Sequence, residues 1–545
     1  MKNRIQVLDC TLRDGAYVVD AKFGTPSIKG IIKKMTEANI DIIECGWLKN
    51  SEHKEGTTFF HTPQDLEPYM SEKNPRAIYT AMIDWNRYNL DFLPQYDGKT
   101  IDAIRVVFPQ QKFREGIEVG KKIKEKGYMV FYQAANTLGY SDDELIALAQ
   151  EINKAEPVSL SVVDTFGAMF SEDLTHIVTL LDKHLAPEIK LGFHSHNNQQ
   201  LSFASSMQFI EMLLGGTRNM IVDSSLCGMG RGAGNATTEL IVNYLNKKYK
   251  ANYDMNTVLD AIDTYMGYFI ENYSWGYSTP YLIAGMYCAH VNNIAYLLDN
   301  HRTTAKDLRN VICALPEDER INYNYDLLEK TYIDYLNKAV DDAAAIEQLK
   351  GSLRGRKVLL ISPGKSIITQ KDRIIRYIEE NQPVVIGVNA ASAGYNYDYI
   401  FFSNKIRYDY ARDIYPETFY PVNRILSSSV KTETVDDELI VNFNLLIKRG
   451  WEHFDNAVIM CLRLMNKLQI QDIALAGFDG FSENYSDSYC DTTLPSLNPR
   501  NNWDELNEEI LDMFQDFKAM TADSMNLTFI TDSKFDVETK ESGIN

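Results

Sequence analysis

The stretch Ile5-Gln6-Val7-Leu8-Asp9-Cys10-Thr11-Leu12-Arg13-Asp14-Gly15 joins a short apolar run to a charged turn. Residues 5–10 have the composition of a buried β-strand, and the run ends just before Arg13 and Asp14. Charged side chains directly after a strand are typical of the carboxyl edge of a parallel α/β sheet, where such folds carry their active sites. We therefore expect a parallel α/β fold with functional groups at this edge.

Seven more strand-like apolar runs follow within the first 285 residues. Segments with helical spacing of apolar residues separate them, for example residues 28–38 and 141–155. Eight alternating strand and helix units over this length predict an α/β chain that begins with a TIM (β/α)8 barrel. The seven further runs are residues 41–46, 76–83, 103–108, 128–134, 158–163, 190–195 and 219–223.

Two histidines end the seventh predicted strand, in the segment His194-Ser195-His196. The two-residue period of a strand points both imidazoles to the same side. With the carboxylate of Asp14 they form a mixed nitrogen and oxygen donor set suited to Mn²⁺, Mg²⁺ or Zn²⁺. An isolated His-x-His pair is also common as a simple polar strand end, but its combination with Arg13-Asp14 favours a metal site. Arg13 would then stabilise an enolate that the metal shares.

Other candidate residues lie at the same predicted edge of the barrel. Glu44 closes the second strand, and we expect it to take part in catalysis. Asp164, Thr165 and Gly167 follow the sixth strand and offer a hydroxyl group and backbone donors for a substrate carboxylate. A simple turn after the sixth strand is the alternative interpretation of these three residues.

Composition excludes several classes of function. The chain has 545 residues, enough for two or three domains, and a formal net charge of −20 without a compensating basic stripe. These values argue against binding to nucleic acids or to anionic membranes. The seven cysteines are odd in number and form no Cys-x-x-Cys pair, so we expect reduced thiols in a cytoplasmic protein. We found no signal peptide and no apolar run of membrane-spanning length.

Four motifs in the first 300 residues resemble the metal-dependent lyase and aldolase superfamily that includes HMG-CoA lyase, isopropylmalate synthase and 4-hydroxy-2-oxovalerate aldolase. The last motif is most similar to the hydroxyoxoacid aldolases, since HMG-CoA lyases carry a longer loop there with a reactive cysteine. The motifs are Thr11-Leu12-Arg13-Asp14-Gly15, Asp164-Thr165-Phe166-Gly167, Gly192-Phe193-His194-Ser195-His196-Asn197-Asn198 and Asp223-Ser224-Ser225-Leu226-Cys227-Gly228-Met229-Gly230-Arg231-Gly232-Ala233-Gly234-Asn235.

The resemblance implies a TIM barrel that cleaves or forms a carbon–carbon bond with a divalent metal. It makes Asp14, His194 and His196 metal ligands, Asn235 a further ligand or a neighbour of the ligands, and Arg13 the group that stabilises the enolate. The implied metal is Mn²⁺ or Mg²⁺, with Zn²⁺ as an alternative. The implied substrates are a 2-oxo acid and an aldehyde, joined in a 4-hydroxy-2-oxo acid and separated through a pyruvate-type enolate.

The sequence departs from the aldolase pattern at two positions. Those enzymes have a histidine four residues after the arginine, where this chain has Tyr17, and a tyrosine later on, where it has His290. We interpret this as an exchange of roles, because a histidine titrates near neutral pH and a tyrosine does not. His290 is then the proton carrier and Tyr17 a fixed hydrogen-bond donor. A purely structural histidine at position 290 is the alternative.

The sequence predicts three parts: a barrel over residues 1–285, a helical extension and linker over 286–350, and a second α/β domain of Rossmann-like type over 351–545. In hydroxyoxoacid aldolases the extension contacts a partner dehydrogenase, so a partner enzyme is expected there. Residues 349–356 resemble a linker. Gly364-Lys365-Ser366 is not a P-loop, because the required upstream glycine is Leu359, although such a turn can hold a phosphate.

Several functions are compatible with the sequence. The first is a metal-dependent aldolase or lyase that acts on small molecules as a homo-oligomer. A Claisen-type acyl-CoA synthase of the same superfamily is the second. The third is a catalytically silent barrel that serves as a binding module for a C-terminal domain loosely similar to sugar transferases.

Overall fold

A computed structural model describes residues 4–70, 73–301, 303–337, 340–392, 394–430, 438–496, 498 and 502–537. The chain forms two compact units. The barrel unit comprises the chain up to residue 291 together with residues 320–322, and the C-terminal unit comprises residues 292–319 and the chain from 323 onward. The three-part division made from the sequence stays a prediction.

The barrel unit contains eight parallel strands that close into a ring, as predicted, because the first strand pairs with both the second and the eighth. A short strand, Phe59–Phe60, adds to the second strand in parallel. The eight strands are β1 (Ile5–Asp9), β2 (Ile42–Leu48), β3 (Ile78–Asp84), β4 (Ala103–Phe108), β5 (Met129–Ala134), β6 (Ser159–Asp164), β7 (Lys190–Ser195) and β8 (Met220–Ser224).

Six principal α-helices surround the barrel strands. Short 3₁₀ segments, Pro63–Tyr69 and Leu90–Phe92, follow β2 and β3 in place of long helices. The helix after β5 begins with a capping box, in which Ser141 and Glu144 satisfy each other's backbone N–H groups. The six helices are Thr25–Glu37, Phe113–Glu125, Asp142–Ala155, Ser171–His184, Ser202–Leu214 and Thr238–Tyr249.

The interior of the barrel is built in layers. An apolar layer of buried side chains lies inside the ring and is formed by Leu8, Cys10, Ile42, Ala103, Phe131 and Ile221. Two residues further along, three strands carry Glu44, Arg105 and Asp223, all at most 1% exposed. Since side chains two residues apart share a face of a strand, the polar layer lies directly beside the apolar layer, toward the carboxyl ends of the strands. The polar layer therefore lies next to the candidate metal ligands at the ends of the strands, where Asp223 contacts His194.

A series of helices follows the barrel strands. Residues 255–272 form two α-helices, Met255–Ala261 and Gly267–Asn272, joined by a π-helical turn at Ile262–Met266. The next helices are Thr279–Met286, Val291–Asn300, Ala305–Ala314, Glu317–Arg320, Tyr325–Leu336 and Ala343–Leu353.

The predicted linker at residues 349–356 is largely helical instead, which corrects that prediction. The helix Ala343–Leu353 covers its first half, and the side chains of Leu349 and Leu353 are fully buried in the core of the C-terminal unit. Small residues suggested flexibility in the sequence, whereas the apolar positions 346, 349 and 353 have the helical spacing that such a buried helix requires.

The C-terminal unit contains a seven-stranded, wholly parallel sheet in the order β13-β12-β11-β10-β9-β14-β15. The strands are β9 (Val358–Ile361), β10 (Val384–Val388), β11 (Tyr399–Phe402), β12 (Asn423–Ser427), β13 (Glu438–Val441), β14 (Asp472–Ala476) and β15 (Asn526–Phe529). This order is Rossmann-like, since the direction in which strands are added reverses between β9 and β14.

Helices in the C-terminal unit connect the strands, and two apolar cores pack against the sheet. The helices are Ser366–Thr369, Lys371–Asn381, Lys405–Ile414, Pro416–Phe419, Phe443–Leu446, Ala457–Lys467 and Trp503–Thr521. Among the described residues, no helix has the length and apolar character needed to cross a membrane. All seven cysteines lie in the described ranges, and each is a free thiol.

Candidate metal centre

Asp14, His194 and His196 converge at the carboxyl edge of the barrel. Asp14 ends a short helix, Thr11–Asp14, directly after β1, and the histidines lie at the end of β7. One ligand atom from each of the three side chains lies within 4.8 Å of the others. Asp14 is 1% exposed and the side chain of His196 is 10% exposed. The spacing and burial match what a divalent cation needs.

Each imidazole has an oxygen atom close to its Nδ1. His194 Nδ1 lies 3.0 Å from Asp223 Oδ2, and His196 Nδ1 lies 3.3 Å from the carbonyl oxygen of Gly234. Carboxylate and carbonyl partners of this kind fix histidines that bind a metal through the other ring nitrogen. The donor set of one carboxylate and two imidazoles, held in this way, fits Mn²⁺, Mg²⁺ or Zn²⁺.

Asn235 lies beside Asp14 and completes the fit. Its Nδ2 donates to Asp14 Oδ2 at 2.6 Å, while its buried Oδ1 has no hydrogen-bond partner in the described part of the chain. An unpaired buried amide oxygen is costly unless it receives a donor or a cation. Gly230 makes room for this contact, since a Cβ there would lie 2.3 Å from Asn235 Nδ2 and 2.5 Å from Asp14 Oδ2.

Arg13 is held in place by two carboxylates. Its Nη1 donates to Asp14 Oδ1 at 2.5 Å and its Nε donates to Glu44 Oε2 at 2.7 Å. The Arg13 carbonyl oxygen accepts from Trp47 Nε1 at 3.1 Å. Such bonds fix a planar guanidinium in one orientation, next to the metal ligands.

Glu44 lies below Arg13 rather than at an open surface. Its Oε2 accepts from Arg105 Nη1 at 2.7 Å as well as from Arg13. Arg105 Nη2 also donates to Gln133 Oε1 at 2.8 Å and to Asp223 Oδ2. We had expected Glu44 to take part in catalysis. Its contacts instead indicate an indirect role, in which Glu44 positions Arg13. Arg105 links Glu44 to Asp223, the partner of His194.

Charges in this network shift the pKa values of the ligands. Burial raises the pKa of Asp14, but the Arg13 guanidinium and the two imidazoles more than offset this and hold it well below its usual range. Burial also lowers the pKa of His196 to about 4, despite the nearby Asp14 carboxylate. An ionised carboxylate and a neutral imidazole are the forms that bind a metal.

The loop after β6 is shaped by Asp164. Its Oδ1 accepts from Ala168 N at 2.8 Å and its Oδ2 from Met169 N at 3.3 Å, and burial raises its pKa to about 7. Thr165 Oγ1 accepts from Asn136 N at 2.7 Å. Asp164 thus holds the loop, whereas we had expected all three of Asp164, Thr165 and Gly167 to bind substrate. A substrate role for the loop stays a prediction.

Gly167 allows the β6 loop to touch the loop that carries His196. It has a φ of +59°, and a Cβ there would lie 2.8 Å from the carbonyl oxygen of His196 and 2.7 Å from Asn198 N. His196 N also donates to the carbonyl oxygen of Asp164 at 3.2 Å. A larger residue at position 167 would displace the backbone of a metal ligand.

Tyr17 and His290 both contact Arg231, a residue to which the sequence analysis gave no role. Arg231 lies with its guanidinium carbon 4.8 Å from the centre of the Tyr17 ring, and its Nη2 is 3.0 Å from His290 Nε2. Burial and the positive charge of Arg231 lower the pKa of His290 to about 3. This corrects the expectation that His290 titrates near neutrality in the free protein. It also makes the histidine part of a cluster at the site, in a turn between two helices.

Part of the barrel unit is similar to a known family. Residues 108–264 match the family model described as HMGL-like. A 4-hydroxy-2-oxovalerate aldolase from Geobacillus genomosp. 3 is 26% identical over 273 residues, covering 48% of this chain and 77% of that protein. An oxaloacetate decarboxylase from Mycobacterium tuberculosis is 26% identical over 265 residues, covering 47% of this chain and 74% of that protein.

Among solved structures, the N-terminal domain of a candidate aldolase from Bacteroides vulgatus aligns with a TM-score of 0.47 and 25% identity, covering 54% of this chain and 96% of that domain. The matched residues 108–264 include His194 and His196, and with Asp14 these form the candidate metal site.

Two charged residues near the candidate metal centre, Arg105 and Arg231, were given no role from the sequence. Arg105 stands in the middle of the apolar strand β4, and a charge in such a run signals a buried partner. Arg231 lies within the motif before Asn235, where only the glycines and the asparagine drew attention. Long-range ion pairs leave no spacing pattern in a sequence, so their partners became evident only in the fold.

Proposed function

We propose that this protein cleaves a 4-hydroxy-2-oxo acid to pyruvate and an aldehyde, and catalyses the reverse aldol addition. The observation that carries the proposal is the juxtaposition of Arg13 with the Asp14, His194 and His196 cluster, whose ligand atoms lie within 4.8 Å of one another. The metal, when bound, supplies a Lewis acid for the 2-oxo carbonyl and the carboxylate of the substrate. The similarity to 4-hydroxy-2-oxovalerate aldolases supports this substrate class.

In the cleavage direction, the C4 hydroxyl proton leaves, the C3–C4 bond breaks and its electron pair moves into the enolate of pyruvate. Arg13 donates hydrogen bonds to the enolate oxygen, where negative charge develops. Removing a single donor of this type costs about 3–4 kcal/mol of transition-state stabilisation in other enzymes. Glu44 acts indirectly, since it keeps the guanidinium in this orientation through Arg13 Nε. The enolate then takes a proton at C3 to give pyruvate.

In this proposal the proton from the C4 hydroxyl goes to His290 Nε2, after the Arg231 guanidinium has turned from this nitrogen to the substrate carboxylate. Arg231 keeps the imidazole neutral, which is the form that accepts a proton. A substrate carboxylate near Arg231 would offset its charge and raise the pKa of His290, making it a stronger base in the complex than in the free protein. Tyr17, whose side chain is 48% exposed, offers a fixed hydroxyl donor at the same cluster.

Oxaloacetate decarboxylation is the second candidate, and the similarity to the Mycobacterium tuberculosis decarboxylase favours it. It also passes through a pyruvate enolate, but a carboxylate leaves as CO₂ instead of an aldehyde. No hydroxyl proton needs to be removed, so His290 would be dispensable. The Claisen-type synthase and the silent barrel stay as predictions from the sequence.

A panel assay distinguishes these functions. Protein loaded with Mn²⁺ or Mg²⁺ is incubated with a series of 4-hydroxy-2-oxo acids of different chain length and with oxaloacetate, and pyruvate is measured. The expected result is pyruvate release from at least one 4-hydroxy-2-oxo acid, abolished by a chelator. Release from oxaloacetate alone supports the decarboxylase, and release from neither substrate class contradicts the proposal.

A further inference from the structure

The C-terminal unit has a pocket of its own at the carboxyl ends of its strands. It lies where the strand order reverses, between β9 and β14. Open parallel α/β sheets bind their ligands at this point, because the loops leaving the two strands diverge there.

The turn Gly364-Lys365-Ser366, which could have held a phosphate, is bound by a carboxylate of the protein itself. Asp479, from the loop after β14, accepts from Ser366 N at 2.7 Å and contacts Ser366 Oγ. A Cβ at Gly364 would lie 2.6 Å from the Asp479 carboxylate, so these loops are closely packed. The anion site must therefore be sought elsewhere in the pocket.

Arg407 supplies the missing positive charge. It lies on the first turn of the helix Lys405–Ile414 and is 6% exposed, yet its Nη1 is buried without a hydrogen-bond partner among the described residues. Its guanidinium carbon is 4.6 Å from the centre of the Tyr489 ring. A buried guanidinium with an unused donor is strongly destabilising unless a ligand supplies an acceptor, and an anion does so best.

The rest of the pocket wall suits a planar ring that carries hydrogen-bonding groups. Four aromatic side chains line it: Phe478, Phe481, Tyr489 and Phe535. Amides also line it: Asn389 bonds to Ser403 through both amide atoms, Asn404 and Asn456 cap helices through Oδ1, and Asn498 Nδ2 donates to the Tyr489 hydroxyl at 3.0 Å. The Nδ2 atoms of Asn404 and Asn456 and Oδ1 of Asn498 are the amide atoms proposed to face a ligand. Aromatic faces bind bases by stacking, and amides read their polar edges. Asp455 and Asp479 also line the pocket, so the anionic group is confined to the part near Arg407.

We propose that this pocket binds a nucleotide, with its phosphate at Arg407 and its base among the aromatic side chains. The proposal is independent of the reaction in the barrel unit, since every residue it uses belongs to the C-terminal unit. It makes the chain a protein with two small-molecule sites of different chemistry. The nucleotide class is chosen because one ligand must combine an anionic group with a planar ring that carries hydrogen-bonding groups.

Calorimetric titration of the full chain tests the proposal. The probes are AMP, GMP, CMP and UMP with their diphosphates, the uncharged nucleosides, ribose 5-phosphate and inorganic phosphate. At least one nucleotide should bind with a dissociation constant below about 1 mM. Its nucleoside and ribose 5-phosphate should each bind at least tenfold more weakly. Absence of binding by all nucleotides overturns the proposal, as does equal binding of inorganic phosphate.

Variants assign the site. Arg407→Gln should weaken binding of the nucleotide at least tenfold, whereas Arg376→Gln, an exposed arginine on a neighbouring helix, should not. Because Arg407 is buried, thermal melting of the variant checks that the unit is folded. Phe481→Ala, in a partly exposed loop, is a second test and should weaken nucleotide binding without changing the affinity for inorganic phosphate. Unchanged affinity in a folded Arg407→Gln protein, or in Phe481→Ala, overturns the assignment.

Discussion

Arg231 Nη2 lies 3.0 Å from His290 Nε2. The two residues are 59 positions apart in the chain, and the contact adds to the effect of burial in lowering the pKa of the histidine. A guanidinium is always charged, so it donates to this nitrogen and opposes a proton there. The same guanidinium stacks on Tyr17, which connects both residues that differ from the aldolase pattern.

The first prediction concerns the pKa of His290. We expect its imidazole to stay neutral from pH 5 to pH 8 in the free protein, since its pKa is lowered to about 3. Arg231→Met should raise that pKa toward the usual value, because the neighbouring positive charge is lost. Nuclear magnetic resonance of labelled histidines measures both. A His290 that titrates near pH 6.5 in the unaltered protein would contradict the assigned contact.

The sign of the accompanying stability change follows from linkage. The pKa of His290 is lower in the folded than in the unfolded protein, where it is about 6.5. The unfolded state therefore binds more protons between about pH 3 and pH 6.5. The contribution of His290 to the free energy of unfolding is present above this window and is lost as the pH falls through it. Arg231→Met should reduce this dependence on pH.

The second prediction concerns metal binding. His196→Ala removes one of the three clustered ligands, so the metal content of the purified protein should fall to a small fraction of the unaltered level. His176→Ala is the matched control, because His176 lies on an outer helix and contacts Asp142. Elemental analysis measures both, with circular dichroism to show that the barrel is folded. Full occupancy in the His196 variant would reject this site.

Much of the barrel could be predicted from the sequence because strand signals are local. All eight apolar runs became strands, since a parallel strand buried on both faces gives a nearly continuous apolar run in the sequence. The convergence of Asp14, His194 and His196 could also be predicted, because each lies at or shortly after the end of a strand and the fold brings strand ends together. Local pattern and global topology agree at these positions.

Other features could not be predicted, because they depend on contacts distant in sequence. The sequence did not indicate strands β12, β13 and β15, since they are short and all three begin with a polar or charged residue. Glu44 was correctly placed at a strand end, but its role depends on Arg105, 61 residues away. The end of the helix Ala343–Leu353, from residue 349 onward, was interpreted as part of a linker because glycines at 351 and 355 outweighed its apolar spacing.

The third prediction separates charge stabilisation from metal binding. Arg13→Lys keeps a positive charge but loses the planar fork that donates to Asp14 and Glu44 together. The turnover number should fall by about a hundredfold or more, as when an oxyanion donor is removed, while the metal content stays near normal. Arg87→Lys, at a more exposed position, is the control. Near-normal turnover in the Arg13 variant would exclude the enolate role.

The last prediction tests whether the helix Ala343–Leu353 belongs to the core of the C-terminal unit. The Leu349 side chain is fully buried there, so Leu349→Ala should destabilise this unit by about 2–5 kcal/mol. Ile368→Ala is the control, because Ile368 is 60% exposed and its loss should cost little. Denaturant unfolding followed by a probe in each unit distinguishes them: the transition of the C-terminal unit should shift to lower denaturant, and that of the barrel unit should not. If Leu349→Ala leaves the C-terminal transition in place, the segment is a linker, as its glycines first indicated. If instead the barrel transition shifts alone, the helix stabilises the barrel and the boundary between the units lies further along the chain.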